Sequence, residues 1–149
     1  MRILVDGDAA GHRELLISLA MEYSVELDWV NNLSQKPPVE REGLKLQIYL
    51  ADRESQSADI IVMNLAQKGD VVVTGDLGLA AVVLSKGSVA LSPRGHWYYA
   101  ERIAGQLEHR HLLQERRRQG GRSSGGPRAA KRVDELRFEE EIRKALEGA

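Results

Sequence analysis

Cysteine is absent from the 149 residues. That excludes a disulfide framework, a thiolate nucleophile and a cysteine-based zinc site. Aromatic residues make up only 5% of the chain, with one Phe and two Trp, too few for a broad base-stacking platform. No apolar run approaches the 18 or more residues that a membrane-spanning helix needs. The opening Met1–Asp6 meets an acid after three apolar residues, shorter than the apolar region of a secretory signal. A cytoplasmic protein with no membrane contact is therefore expected. No serine shows the pattern of an activated nucleophile. The stretch Gly120-Gly121-Arg122-Ser123-Ser124-Gly125-Gly126-Pro127 lacks the Lys-Ser/Thr of a P-loop and follows no strand, so it reads as a linker.

What is present is one domain's worth of chain, 42% hydrophobic and 29% charged, long enough to build a core. The net charge of −1 conceals an asymmetry. Residues 1–93 carry 8 Lys+Arg against 13 Asp+Glu, residues 94–132 carry 10 against 3, and residues 133–149 carry 3 against 6. An acidic body thus precedes a basic arm and an acidic end. The arm has two readings, a solvated helical surface or a contact with an anionic partner.

Periodicity predicts mostly βα units. Buried or alternating strands are expected at Met1–Val5, Val25–Val30, Leu44–Leu50, Asp70–Thr74 and Val89–Leu91, and helices at His12–Tyr23, Gln56–Gln67 and Leu77–Ser85. Continuous runs such as Val71-Val72-Val73 suit a parallel sheet covered on both faces. The expected architecture is a three-layer α/β/α sandwich over residues 1–95. It is followed over 96–149 by a basic helix (Tyr98–Gln119), the Gly-rich linker and an amphipathic helix with Val133, Leu136, Ile142 and Leu146 apolar, folded back on the body or on a partner.

In such sheets ligands sit beyond the carboxyl ends of the strands. Two acidic motifs are predicted there, Leu4-Val5-Asp6-Gly7-Asp8-Ala9 and Val73-Thr74-Gly75-Asp76. An extended backbone would put Asp6 and Asp8 on one side, roughly 7 Å apart, and neighbouring first and fourth strands would bring Asp76 to them. Clustered carboxylates repel one another, and a divalent cation with a taste for hard oxygen, Mg²⁺ or Mn²⁺, would cancel that repulsion. The competing reading is that each Asp is a helix cap or turn residue. Asp59, early in its helix, is a further candidate ligand or a charge favoured by the helix dipole, and Asp52 and Glu54 lie just upstream. The histidines signal little. His109 and His111 stand about 200° apart on a helix, and His12 lies near the acidic loop with no partner by spacing. Trp97-Tyr98-Tyr99 reads first as packing for the arm, with base stacking as the alternative.

The start of the chain, Ala58-Asp59-Ile60-Ile61-Val62, Thr74-Gly75-Asp76-Leu77-Gly78-Leu79-Ala80, Ser92-Pro93-Arg94-Gly95 and Arg118-Gln119-Gly120-Gly121-Arg122 through Gly126-Pro127 together resemble the YaiI/YqxD family of uncharacterised bacterial proteins. The resemblance spans nearly the whole chain. It implies a PIN-like domain, a nuclease fold with acidic residues around divalent metal. Carried over residue by residue, it implies Asp6, Asp8, Asp59 and Asp76 as metal ligands, with Asp6, Asp8 and Asp76 catalytic. Two departures stand out: Ala10-Gly11 replace the family's usual Cys-Pro, and Gln56 replaces an Asp, leaving one carboxylate fewer.

The function expected is a metal-dependent nuclease acting on nucleic acid, RNA in preference, with Arg94, Arg116, Arg117, Arg118 and Arg122 on the phosphate backbone. Two alternatives stay open. One is a haloacid-dehalogenase-type phosphatase with Asp6 as nucleophile. The other is a non-catalytic RNA-binding module. Homo-oligomerisation is left open as well.

Overall fold

The computed structural model describes residues 1–31, 36–51, 58–118 and 128–148. Five strands, β1 (Arg2–Asp6), β2 (Glu26–Asn31), β3 (Leu46–Leu50), β4 (Val71–Val73) and β5 (Val89–Leu91), form one sheet in the order β3-β2-β1-β4-β5, every pair parallel. Five α-helices accompany them: α1 (Arg13–Glu22), α2 (Ala58–Leu65), α3 (Leu77–Ser85), α4 (Ala100–Arg118) and α5 (Arg128–Glu147). The expected loop after β1 is a 3₁₀ turn over Gly7–His12, and the third strand starts two residues later than the alternation suggested.

The pleat divides the apolar residues between two layers. Ile3, Val5, Leu27, Trp29, Val71, Val73 and Leu91 face α1 and α5, while Leu4, Val30, Val72 and Ala90 face α2 and α3. Side chains alternate across a strand, so a run of consecutive apolar residues buries on both faces only if both faces are covered. The α/β/α sandwich follows from those runs.

α5 completes the first of these layers. Phe138, Ile142 and Leu146, spaced by four, are buried against the sheet. Ile142 and Leu146 are buried as the amphipathic pattern suggested, but Val133 and Leu136, read as part of the same stripe, are 52% and 63% exposed, and the helix starts at Arg128 rather than Val133. Two such residues at i and i+3 make a stripe of their own, and only the tertiary contact selects Phe138 instead.

Contact with α5 is closest at Gly95. Pro93 and Arg94 occupy the middle of a turn closed by Gly95 N–H donating to Ser92 O at 2.9 Å. Gly95 has φ +85°, a left-handed value that an L side chain adopts only with strain. A Cβ there would lie 2.5 Å from Phe138 N and 2.7 Å from the carbonyl carbon of Arg137, inside the backbone of α5.

At the amino edge of the sheet the Arg2 guanidinium reaches Asp28 at 2.5 Å, Asp70 at 3.0 Å and the Leu65 carbonyl oxygen. Burial opposes its charge, but hydrogen bonds and attraction from Asp70 and Asp28 outweigh it and hold Arg2 above its ordinary pKa. Asp28 is pushed up by burial, which outweighs the attraction and hydrogen bond of Arg2, with the charges of Glu26 and Asp70 acting in the same direction as burial. This end of the sheet is a closed structural network.

Among the described residues of α4, only Ile103 is buried. Tyr99, Ala100 and Glu101 lie beside Met1 and Val89 at the amino edge, whereas Gln106 lies beside Gly75 and Ser92 at the carboxyl edge. The helix therefore climbs the full sheet in about two turns. Its remaining twelve residues, Leu107–Arg118, extend along the same axis for about 18 Å, beyond the edge where ligands of such sheets bind.

Gly95→Ala should destabilise the chain by about 2–4 kcal/mol, adding left-handed strain to overpacking against α5. Urea unfolding at fixed pH checks this; a midpoint equal to that of the wild type would show that α5 does not sit on the turn.

Candidate functional site

Because β1 and β4 are parallel neighbours with Val5 opposite Val73, the next residues on each strand, Asp6 and Thr74, emerge side by side at the carboxyl edge. Asp6 is only 4% exposed and Thr74 is fully buried. Thr74 Oγ1 donates to Asp6 Oδ2 at 3.0 Å and accepts from the backbone N–H of Asp76 at 3.1 Å. One hydroxyl thus ties the ends of the two strands together. Thr74 is itself anchored from outside, since Tyr98 OH donates to its carbonyl oxygen at 3.0 Å.

Asp76 occupies the N-cap of α3, accepting from Leu79 N–H at 3.1 Å through Oδ1. The capping role anticipated as the alternative to metal binding is thus realised in the structure. The cap occupies one carboxylate oxygen, Oδ1. Asp59 lies in the first turn of α2, half-buried. That helix follows β3 and starts on the same edge.

Other expected site residues fall differently. Asp8 lies in the 3₁₀ turn directly after β1, but its side chain is outside the described residues, as are Asp52, Glu54 and Gln56. Among the described residues no three His, Asp or Glu side chains are grouped closely enough to hold a metal ion. Asp6 ends β1 and Asp76 caps α3 two positions after Thr74, at the same carboxyl edge. Arg94 is exposed at the rim, with Nε 3.7 Å from Asp134. Arg116 is exposed on the extension of α4; the side chains of Arg117 and Arg118, and the whole of Arg122, are outside the described residues. His111 pairs with Glu115 at 3.1 Å along α4.

Sequence reasoning missed the organisation around His12. Its Nε2 lies 2.6 Å from the carbonyl oxygen of Pro93, so that nitrogen carries the proton. Its ring stacks on Phe138 at 4.0 Å and 5°. The residue joins the turn after β1, the turn after β5 and α5. Partners 81 and 126 positions away leave no local trace in the sequence.

A cleft of about 360 Å³ opens beside the acids, lined by Gly75, Leu77, Ser92, His96, Trp97, Tyr98 and Gln106. As expected, the aromatic cluster packs the arm onto the body: Trp97 bridges to Leu91 and joins the α5 layer, and Tyr98 joins the other. Trp97 Nε1–H donates to Glu141 at 2.9 Å, a bond that lowers the pKa of that carboxyl.

The family described as "Uncharacterized BCR, YaiI/YqxD family" matches residues 4–148. This chain belongs to the YaiI/YqxD family. A UPF0178 protein of Alkaliphilus metalliredigens is 35% identical over 147 residues, 99% of this chain and 92% of that one. A UPF0178 protein of Desulfotalea psychrophila is 38% identical over 148 residues, 98% and 97% of the two chains. Among solved structures, Rae1 (YacP) from Bacillus subtilis is similar with a TM-score of 0.47 and 17% identity over 99% of each chain; a likeness of that strength says nothing about chemistry. No described helix of this YaiI/YqxD chain is long and apolar enough to cross a membrane.

Asp76→Ala should cost about 1 kcal/mol through loss of the cap, and Asp76→Asn much less, because an amide oxygen still accepts from Leu79 N–H. Thermal unfolding of the two variants distinguishes them. Equal losses would mean that charge, and not the hydrogen bond, holds the start of α3.

Proposed function

We propose that this YaiI/YqxD chain is a divalent-metal-dependent nuclease acting on nucleic acid, RNA in preference. The observation that carries this reading is the parallel pairing of β1 with β4, whose carboxyl ends lead into Asp6 and into the Thr74–Asp76 segment on one edge; the cationic residues in the second half of α4 support it. Carboxylate oxygens are the donors that Mg²⁺ and Mn²⁺ prefer. Asp6, Asp8 and Asp76 would hold the ion, with Asp59 at the rim. When bound, the metal would supply an activated water and charge at the leaving oxygen.

The chain's own contribution is positioning. Thr74 fixes the orientation of Asp6 by donating to one of its oxygens, and Asp76 is fixed by capping α3. Arg94 and the arginines 116, 117, 118 and 122 would hold the phosphate backbone, which requires charge more than sequence readout. The net negative body of residues 1–93 repels a polyanion, so the arm and metal must offset it.

The Thr74–Asp6 hydrogen bond also favours a second reading, a phosphatase in which Asp6 is the nucleophile and Thr74 binds phosphate. A phosphoryl group on Asp6, found by mass spectrometry after incubation with a phosphomonoester, would replace the nuclease reading with that one.

Mn²⁺ should raise the melting temperature of the wild type, because a ligand that binds only the folded state stabilises it. It should leave the Asp6→Asn, Asp76→Asn double variant unmoved and unable to cleave single-stranded RNA. An equal metal response in both proteins would remove the acids from the site.

Filter binding across a salt series tests the arm. Affinity for single strands should fall with log salt at a slope of about −0.7 per phosphate contact. Replacing Arg116, Arg117, Arg118 and Arg122 by Ala should flatten that slope and spare the metal response. Matching slopes would assign the arm to another partner or to solvent.

A further inference from the structure

We propose that the cleft between Gly75 and Gln106 is a nucleobase subsite, taking one unstacked base of a single-stranded nucleic acid whose backbone passes the acidic edge. The inference rests on the nucleic-acid reading and adds what the strand must present.

The position of the cleft is the first argument. Its wall includes Gly75, the residue between Thr74 and Asp76. An occupant therefore lies next to the Asp76 backbone and next to Thr74, whose hydroxyl holds Asp6, within reach of a base attached to a backbone lying on that edge. Gln106, on the opposite wall, belongs to the helix whose continuation carries the cationic residues. A strand held by that helix would pass the cleft on its way to the acids.

Its chemistry is the second argument. The two aromatic residues in the wall have their polar tips committed elsewhere: Trp97 Nε1–H to Glu141 and Tyr98 OH to the Thr74 carbonyl oxygen. What they offer the cleft is ring surface, held rigid by those bonds. Ser92 Oγ already accepts from His96 N–H at 3.1 Å, and His96 Nε2 from Arg137 at 3.1 Å, so the exposed Gln106 is the polar side chain of the lining best placed to address an occupant. Ring surface with a few polar groups suits a flat, polar-edged heterocycle. Gln106, with a carbonyl and an amide at one tip, can address the donor and acceptor pair on the edge of a base.

Size is the third. About 360 Å³ lies near the lower end of small-molecule clefts, which fits a single ring system and not a stacked pair. Gly75 keeps the cleft open on the acid side. A Cβ there would meet only the Pro93 ring, at 3.9 Å, an ordinary contact, so a larger side chain fits the backbone and would fill the space instead.

Binding of homopolymeric oligoribonucleotides is compared with that of an abasic strand of equal length and charge, in Mn²⁺ at low temperature, with the strands shown to be intact afterwards on a denaturing gel. The wild type should prefer the base-bearing strand by about 5- to 150-fold, the effect of one stacked base. Gly75→Leu should collapse that preference while leaving affinity for the abasic strand unchanged. Gln106→Leu, an exposed helical substitution that leaves the fold intact, should reduce discrimination between oligo(A) and oligo(U). Equal affinity of the wild type for base-bearing and abasic strands would overturn the subsite, as would failure to bind either. So would a preference that survives Gly75→Leu in a folded protein, or unaltered discrimination in Gln106→Leu. Cleavage in Mn²⁺ is scored separately: base preference without cleavage would sink the nuclease reading and keep the subsite, and cleavage without base preference would do the reverse.

Discussion

The pairing of β1 with β4 is the constraint from which the rest of the molecule follows. β1 is the middle strand of the sheet, buried through Ile3, Leu4 and Val5, so its register is held by apolar contacts on both faces. Moving it by one residue against β4 would exchange the two faces and destroy both layers. That register sets Asp6 beside Thr74, and Thr74 in turn holds the first N–H of the Asp76 segment. At the other end of the same strand Arg2 is drawn into the network with Asp28 and Asp70. One strand thus has an end closed by an ion-pair network and an acid-bearing end.

In the proposed nuclease, Asp76 would combine a structural and a chemical role in one side chain. A carboxylate has two oxygens, and the cap uses Oδ1. The hydrogen bond fixes the rotamer of the group, so whatever the other oxygen meets, it meets without further loss of side-chain freedom. The same economy holds for Thr74, whose hydroxyl has one donor and lone pairs to spare, and which satisfies two partners with them.

Much of the fold was legible because its signals are local. The Val71–Val73 run, the alternation through Leu46–Leu50 and the stop at Lys86-Gly87, where Gly87 has φ +91°, each announce an element from within a few residues. The neighbouring acids were legible too, since strand-end motifs on parallel neighbours must share an edge. What depended on distant contacts was not. Phe138 is an ordinary aromatic in an amphipathic pattern until Gly95 and His12 are placed against it. The partners of His12 described above, Pro93 and Phe138, lie more than eighty residues away in the chain. The choice of α5's buried face over the rival stripe of Val133 and Leu136 was made by the shape of the sheet.

The position of α5 has a consequence for synthesis. Phe138, Ile142 and Leu146 form one layer with strands laid down by residue 91. Until that helix leaves the ribosome, the face of Ile3, Val5, Trp29 and Val73 is covered by α1 and by flanking residues such as Trp97, without Phe138, Ile142 and Leu146. A chain growing at about 5–20 residues per second therefore carries a half-covered apolar sheet for several seconds. Such surface is the kind that attracts chaperones or self-associates. The final helix ends that exposure and closes the contacts of longest sequence separation, the ones that slow folding most.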